Sequence, residues 1–380
     1  MANISIIGSI PFLIPSFRRD RELKNKMEKV TAKLILEDGT CYSGYVFGSR
    51  QSVSGEVVFN TGMVGYPESL TDPSYKGQIL AMTYPLIGNY GVPITSFSAS
   101  LNVNLESEQI QIKALLVAEY SFEYCHWNAT QSLADWLKTQ QVPALYGIDI
   151  RALTKKLRYA GTMLGKIVID SEDISFYNPN LDNLVAQVSL PEPVEYGQGS
   201  KKIILIDCGC KNSIITSLIA RNTTVKRVPW DYDFLNEDFD GILISNGPGD
   251  PKMCRKTILN VRKAFALQKP IFGICLGNQV LALAAGANTY KLKFGHRSQN
   301  QPCLEIGTER CYITSQNHGY AVDNSTLPED WQPWFRNAND GTSEGIRHRS
   351  LPFRSVQFHP EAAPGPVDTA FLFDQFVEML

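Results

Sequence analysis

The run PIFGICLGNQVLALAAGA (270–287) decides the fold of the C-terminal half. A short apolar stretch ends in Gly273-Ile274-Cys275-Leu276-Gly277 and passes directly into a helical pattern. Strand, tight turn and helix in that order form the G-x-(nucleophile)-x-G elbow, which lifts its central side chain above a sheet. The glycines are needed because neighbouring backbone must come close in so sharp a turn. Cys275 then stands at a helix N-terminus, whose dipole favours negative charge on the sulfur, and the Leu276 N–H faces a developing oxyanion. A glycine-flanked cysteine can also be a plain buried residue, so the elbow by itself leaves both readings open.

Outward from the elbow, strands and helices alternate. KKIILIDCG (201–209) is a β-branched run of the kind buried in a parallel sheet, and a helix follows from about residue 211 to 221. TVKRVPW and DGILISNGPGD read as strands, TILNVRKAFALQ as a helix, and RCYITSQNHG and PFRSVQFHP as strands before a closing helix, VDTAFLFDQFVEML. Strands separated by helices of this length predict a doubly wound α/β sheet over residues 201–380.

Both Cys275 and His359 fall just beyond predicted strand ends, where open α/β sheets hold their ligands. A thiol needs a base, and His359-Pro360-Glu361 offers a histidine with a carboxylate two residues on, able to orient the ring and stabilise its cation. The Gly247-Pro248-Gly249 loop is strong turn chemistry that also presents amide groups at a strand end, and Gln279 lies one helical turn beyond Cys275.

Before residue 189 the pattern changes to short strands and turns. TAKLILEDGT and CYSGYVFG pair through the Asp38-Gly39 hairpin signal, EVVFNTG, QILAMTYPLIGN and KALLVAEY are further strands, and TQSLADWLKTQQ and IDIRALTKKLRYAG are helices, the second stopped by Gly161. Residues 30–188 therefore predict an α+β domain, residues 189–200 (rich in Pro and Gly) a linker, and residues 1–29 a disordered extension without a targeting pattern.

Composition narrows the function. A net charge of −2 with no dense basic stripe argues against nucleic-acid and membrane partners. No apolar run reaches the roughly 20 residues that span a bilayer. The eight cysteines show no C-x-x-C spacing, so disulfide and metal frameworks are not expected and a reduced, cytoplasmic setting is. His126, His296, His318 and His348 share no metal spacing and read as surface or hydrogen-bonding residues, and GTMLGK (161–166) is one residue short of a phosphate loop.

The C-terminal half resembles class I, triad-type glutamine amidotransferases, through the G-I-C-L-G elbow and the later H-P-E. The N-terminal half narrows the resemblance to the small subunit, or glutaminase region, of carbamoyl-phosphate synthase, through LEDGT, GEVVFNTGMVGYPESLTDPSYKGQI, TYPLIGNYG, GIDIRALTKKLR and GTMLGKI. ISNGPGDP, GANTYKLKFGHR, SQNHGYAVD, NDGTSEGI and QFHPEAAPGP extend it to the C-terminus. HWNATQSLADWL is similar to animal multifunctional pyrimidine-synthesis forms, and Asn278 to the mitochondrial urea-cycle type.

The resemblance implies a catalytic set of Cys275, His359 and Glu361, and glutamine or oxyanion contacts at Gly62, Gly247, Gly249, Leu276, Gln279, Asn317, Gly319 and Tyr320. At Gly62, where some members have serine, any contact must use backbone. It implies no metal or cofactor in this chain, with ATP and Mg2+ on a large synthetase that is either a separate subunit or a fused downstream region. The departure is Asn278, where the common motif has histidine; the expectation is retained activity with altered rate or regulation. An amidotransferase serving another synthetase, or a stand-alone γ-glutamyl or cysteine hydrolase, are the alternatives.

Overall fold

The computed structural model describes residues 29–170 and 173–380, so the expectation of a disordered extension lies, Lys29 apart, outside the described residues. Seven strands of the N-terminal half close into a barrel. They are β1 (Thr31–Leu36), β2 (Cys41–Val46), β3 (Val53–Asn60), β4 (Gln78–Met82), β5 (Ala114–Leu116), β6 (Ala144–Tyr146) and β7 (Met163–Ile169). Their order around the barrel is β1-β7-β3-β4-β5-β6-β2.

The Asp38-Gly39 signal does join β1 to β2, and β1 closes against β7 with Leu34 opposite Ile167. Strict alternation of buried and partly exposed residues along β7 points one face inward, onto a core that includes Leu34, Val57, Ile79, Leu116 and Leu145. Helices α1 (Tyr66–Thr71), α2 (Leu133–Thr139) and α3 (Ile150–Ala160) pack around these strands. Ser132 caps α2 by accepting from the Asp135 N–H, and Gly161 ends α3 at φ 106°, a conformation that favours glycine.

The C-terminal half is a ten-stranded sheet. Its strands are β8 (Val194–Tyr196), β9 (Lys201–Asp207), β10 (Thr223–Pro229), β11 (Gly241–Ile244), β12 (Ile271–Ile274), β13 (Asn288–Glu305), β14 (Cys311–Asp323), β15 (Trp331–Asn337), β16 (Ser343–His348) and β17 (Phe353–Val356). The order is β8-β10-β9-β11-β12-β17-β16-β15-β13-β14. The central five strands from β10 to β17 run parallel, as the buried apolar runs predict.

Four helices serve this half: α4 (Asn212–Ile219), α5 (Arg255–Ala264), α6 (Leu276–Ala285) and α7 (Phe371–Met379). Successive β9 residues feed opposite cores, Ile204 and Ile206 one cluster and Leu205 the other, so both faces of the sheet are covered. The stretch read as a linker also contributes structure: Val194–Tyr196 pairs antiparallel with β10 as an edge strand.

Candidate active site

The elbow forms between β12 and α6. Cys275 has φ 54° and ψ −104°, a conformation costly for a side-chain-bearing residue, and it is held by its N–H donating to Val356 O at 2.8 Å. A Cβ at Gly277 would lie 2.1 Å from Ile244 O, and one at Gly273 would lie 2.5 Å from Gly277 O. Backbone therefore passes backbone at both glycines, and no side chain fits. The Cys275 thiol is buried and donates to Asn317 O at 3.6 Å. Leu276 opens α6, so its N–H is among those with no acceptor inside the helix.

His359 follows β17 and is pinned by its N–H donating to Ser315 O at 2.9 Å. Its Nδ1 is 2.6 Å from Glu361 Oε1, and that carboxylate lies 3.0 Å from Lys211 Nζ. Lys211, just past the end of β9, also donates to Ala362 O at 2.7 Å. His359 Nε2 has no hydrogen bond of ordinary geometry, yet the neighbouring Cys275 sulfur helps raise the ring's pKa.

These groups are buried together, and their charges decide the outcome. Burial disfavours the His359 cation, but Glu361 and Cys275 outweigh it and push the ring up to about 10. Burial likewise disfavours the Glu361 carboxylate, but Lys211 and His359 hold it at about 2. Lys211 is raised despite burial, by Glu361, Glu106 and Asp72. The arrangement is an imidazolium between the Cys275 sulfur and a carboxylate, with a buried ammonium behind.

A stability effect follows from linkage. With His359 raised from 6.5 to about 10, its contribution is complete below about pH 6.5 and is lost as pH rises through about 10. With Glu361 lowered from 4.5 to about 2, its contribution is present above about pH 4.5 and is lost as pH falls through about 2. Urea midpoints measured across pH should therefore fall at both ends in the parent, and the alkaline fall should be smaller in His359→Asn. An equal alkaline fall in both would remove His359 as its source.

In front of Cys275 a cavity opens between the two halves of the chain. Eight residues expected at the site line it: Gly247, Gly249, Cys275, Leu276, Gln279, Asn317, Gly319 and Tyr320. Gly247 is obligatory, since a Cβ there would sit 2.0 Å from Cys208 O. His359 faces a second, small cavity that shares Asn317 with the first and is lined in part by Pro364.

Gly62 is the exception, because it does not line the Cys275 cavity. Its N–H is committed to Asn60 Oδ1 at 2.6 Å, and the Gln299 amide fills the space beside it, 2.8 Å from where a Cβ would stand.

Several residues of the N-terminal half enter the site without any signal in local sequence. Asp72 Oδ2 accepts from Asn317 Nδ2 at 2.8 Å, and Ser74 Oγ accepts from Asn246 Nδ2 at 2.9 Å. Glu56 lines the cavity and joins Lys291 of the other half at 2.6 Å. Burial opposes its charge, but Lys291 and Arg297 hold it below the usual carboxylate range. Lys211 could have been found from its place at a strand's carboxyl end.

Two histidines differ from the surface reading. Antiparallel register sets His296 opposite His318, and both are buried within ligand distance of Glu344. Their ring nitrogens are engaged, His296 with Gln316 and Asp340 and His318 with Tyr320 O and Gln316. The cluster is a hydrogen-bonded one, as the alternative reading had it.

Comparison with known proteins agrees with both halves. Residues 34–167 match the carbamoyl-phosphate synthase small chain, CPSase domain, and residues 204–379 match glutamine amidotransferase class-I. The chain is 52% identical over 372 residues to multifunctional protein pyr1-3 of Dictyostelium discoideum, covering 91% of this chain and 17% of that protein. It is 51% identical over 355 residues to the mitochondrial carbamoyl-phosphate synthase [ammonia] of Homo sapiens, covering 92% and 24%. Multifunctional protein CAD of Squalus acanthias is 53% identical over 354 residues, covering 91% and 16%. The chain thus spans a quarter or less of the length of these relatives. Among the described residues, no helix is long and apolar enough to cross a membrane.

Proposed function

The chain belongs to the carbamoyl-phosphate synthase small-chain and class I glutamine amidotransferase families, and from that premise we propose that it hydrolyses glutamine and supplies the ammonia to an ATP-dependent synthetase making carbamoyl phosphate. The observation that carries this reading is the Cys275 elbow opening into a cavity walled by both family domains, with His359 and Glu361 behind it.

In the proposed reaction the Cys275 sulfur, its proton passed to His359, attacks the carboxamide carbon of glutamine. The new tetrahedral oxygen takes hydrogen bonds from backbone N–H groups at Leu276 and Gly247, charge stabilisation that acts most strongly in a dry site. His359 gives its proton to the departing nitrogen, and ammonia leaves as the C–N bond breaks. His359 then takes a proton from water, whose oxygen attacks the γ-glutamyl thioester, and glutamate departs as the C–S bond breaks. Gln279, Gly249, Gly319, Tyr320 and Asn317 are proposed to hold the glutamine.

The partner is a synthetase carrying ATP and Mg2+, as a large subunit or a fused downstream region. Ammonia is proposed to pass to it within the protein, starting from the small space beside His359 that Lys211, Asn317 and Pro364 help to line. A cytoplasmic setting is the proposed compartment, supported by eight free cysteines among the described residues.

The test is reconstitution with a synthetase. We expect carbamoyl phosphate from glutamine, bicarbonate and ATP with the parent chain, and only from added ammonium with Cys275→Ser. Glutamine hydrolysis by the chain without any glutamine-dependent carbamoyl phosphate would favour a stand-alone hydrolase instead.

A further inference from the structure

Asn278 stands three residues after Cys275 in the first turn of α6, with no exposed surface. Its Nδ2 donates to Gln357 Oε1 at 3.0 Å, and its Oδ1 accepts from Ser355 Oγ at 2.8 Å. Gln357 lies two residues before His359. Its Oε1 also accepts from Gln279 Nε2 at 3.1 Å, and that nitrogen donates again to Tyr320 O at 2.8 Å.

Chemistry sets the direction of every amide in this chain of bonds. A backbone carbonyl only accepts, so Gln279 must turn its nitrogen toward Tyr320. The second hydrogen on that nitrogen requires the oxygen of Gln357. That oxygen in turn requires the nitrogen of Asn278, whose own oxygen is left for the Ser355 hydroxyl. Reversing any one amide sets donor against donor or acceptor against acceptor in a buried place, where an unmade hydrogen bond is costly.

We infer that Asn278 is a positioning residue. It ties the helix that carries Cys275 to the segment that carries His359. Through the shared Gln357 oxygen it also holds in place the second acceptor of Gln279, on the glutamine side. The inference rests on the proposed glutaminase reading, because the residues it aligns are those assigned there to glutamine. A purely structural network would give stability alone, so the discriminating readout is the KM for glutamine in folded variants.

Asn278→Asp keeps the shape but removes the donor. The Gln357 nitrogen is then drawn toward the new carboxylate, and Gln279 keeps only Tyr320 O of its two acceptors. The expected result is a rise in KM for glutamine of about tenfold, the value of one buried hydrogen bond, with a smaller fall in kcat. Asn278→His, which offers one donor and one acceptor, should recover most of the loss.

If Asn278→Asp fails to fold, Gln357→Met removes the shared oxygen without adding charge and should raise KM similarly. Thermal unfolding identifies which variants are folded. A parent that hydrolyses glutamine, with folded Asn278→Asp or Gln357→Met variants of unchanged KM, would overturn the inference and leave the glutaminase reading standing. A parent that hydrolyses no glutamine, alone or with its synthetase, would overturn both.

Discussion

Cys275→Ser is expected to lower glutamine hydrolysis by at least about 10⁴-fold, the scale on which loss of a nucleophile within a coupled catalytic set acts. The hydroxyl is a far weaker nucleophile than the sulfur, and the site is built around an imidazolium already charged by its carboxylate. With His359 pushed up to about 10, that ring already carries its proton at neutral pH and has no site free to take one from a hydroxyl. Binding of glutamine should survive, because the lining residues Gln279, Gly319 and Tyr320 are untouched. Steady-state glutaminase assays and direct binding by calorimetry separate the two effects. A serine variant within about tenfold of the parent would require another nucleophile.

Gly277→Ala should be among the most damaging small substitutions at the elbow. The added carbon would stand 2.1 Å from Ile244 O, 3.0 Å from Ile244 Cβ and 2.8 Å from Ile244 C, so backbone itself must move. The strand that must yield is β11, buried along its whole length and paired on both sides. We expect a loss of at least about 3 kcal/mol of stability, the upper end for overpacking, together with loss of activity as Cys275 is displaced. Urea unfolding and the glutaminase rate check this together. By contrast, alanine at Gly341 would meet no neighbour, and only its φ of 77° would cost anything. A Gly277→Ala protein as stable and active as the parent would show that the elbow is looser than this packing implies.

What the sequence made legible was local. The elbow announced itself because strand, glycine, nucleophile, glycine and helix are contiguous, and His359 with Glu361 because orienter and base are two residues apart. The hairpin at Asp38-Gly39 and the stop at Gly161 were readable for the same reason: each depends on one residue's own backbone. The barrel was not, since its closure depends on pairing Leu34 with Ile167 across more than a hundred residues. Nothing in either segment marks the other.

The same limit governs the site. Lys211 and Asp72 reach it from different halves, and their roles exist only once Glu361 and Asn317 are beside them. His296 and His318 look unrelated in sequence and become neighbours through antiparallel register. Gly62 was suggested by family pattern alone, and the structure shows its N–H engaged by Asn60 Oδ1. Asn278 was visible as a departure, but its meaning needed the partners Gln357 and Ser355.

The most direct measurement is mass spectrometry of the chain quenched in acid during glutamine turnover. The account predicts one γ-glutamyl group on the Cys275 peptide, formed with parent protein, removed by hydroxylamine and absent from Cys275→Ser. Turnover with no adduct at Cys275, or with the adduct on another residue, would contradict it.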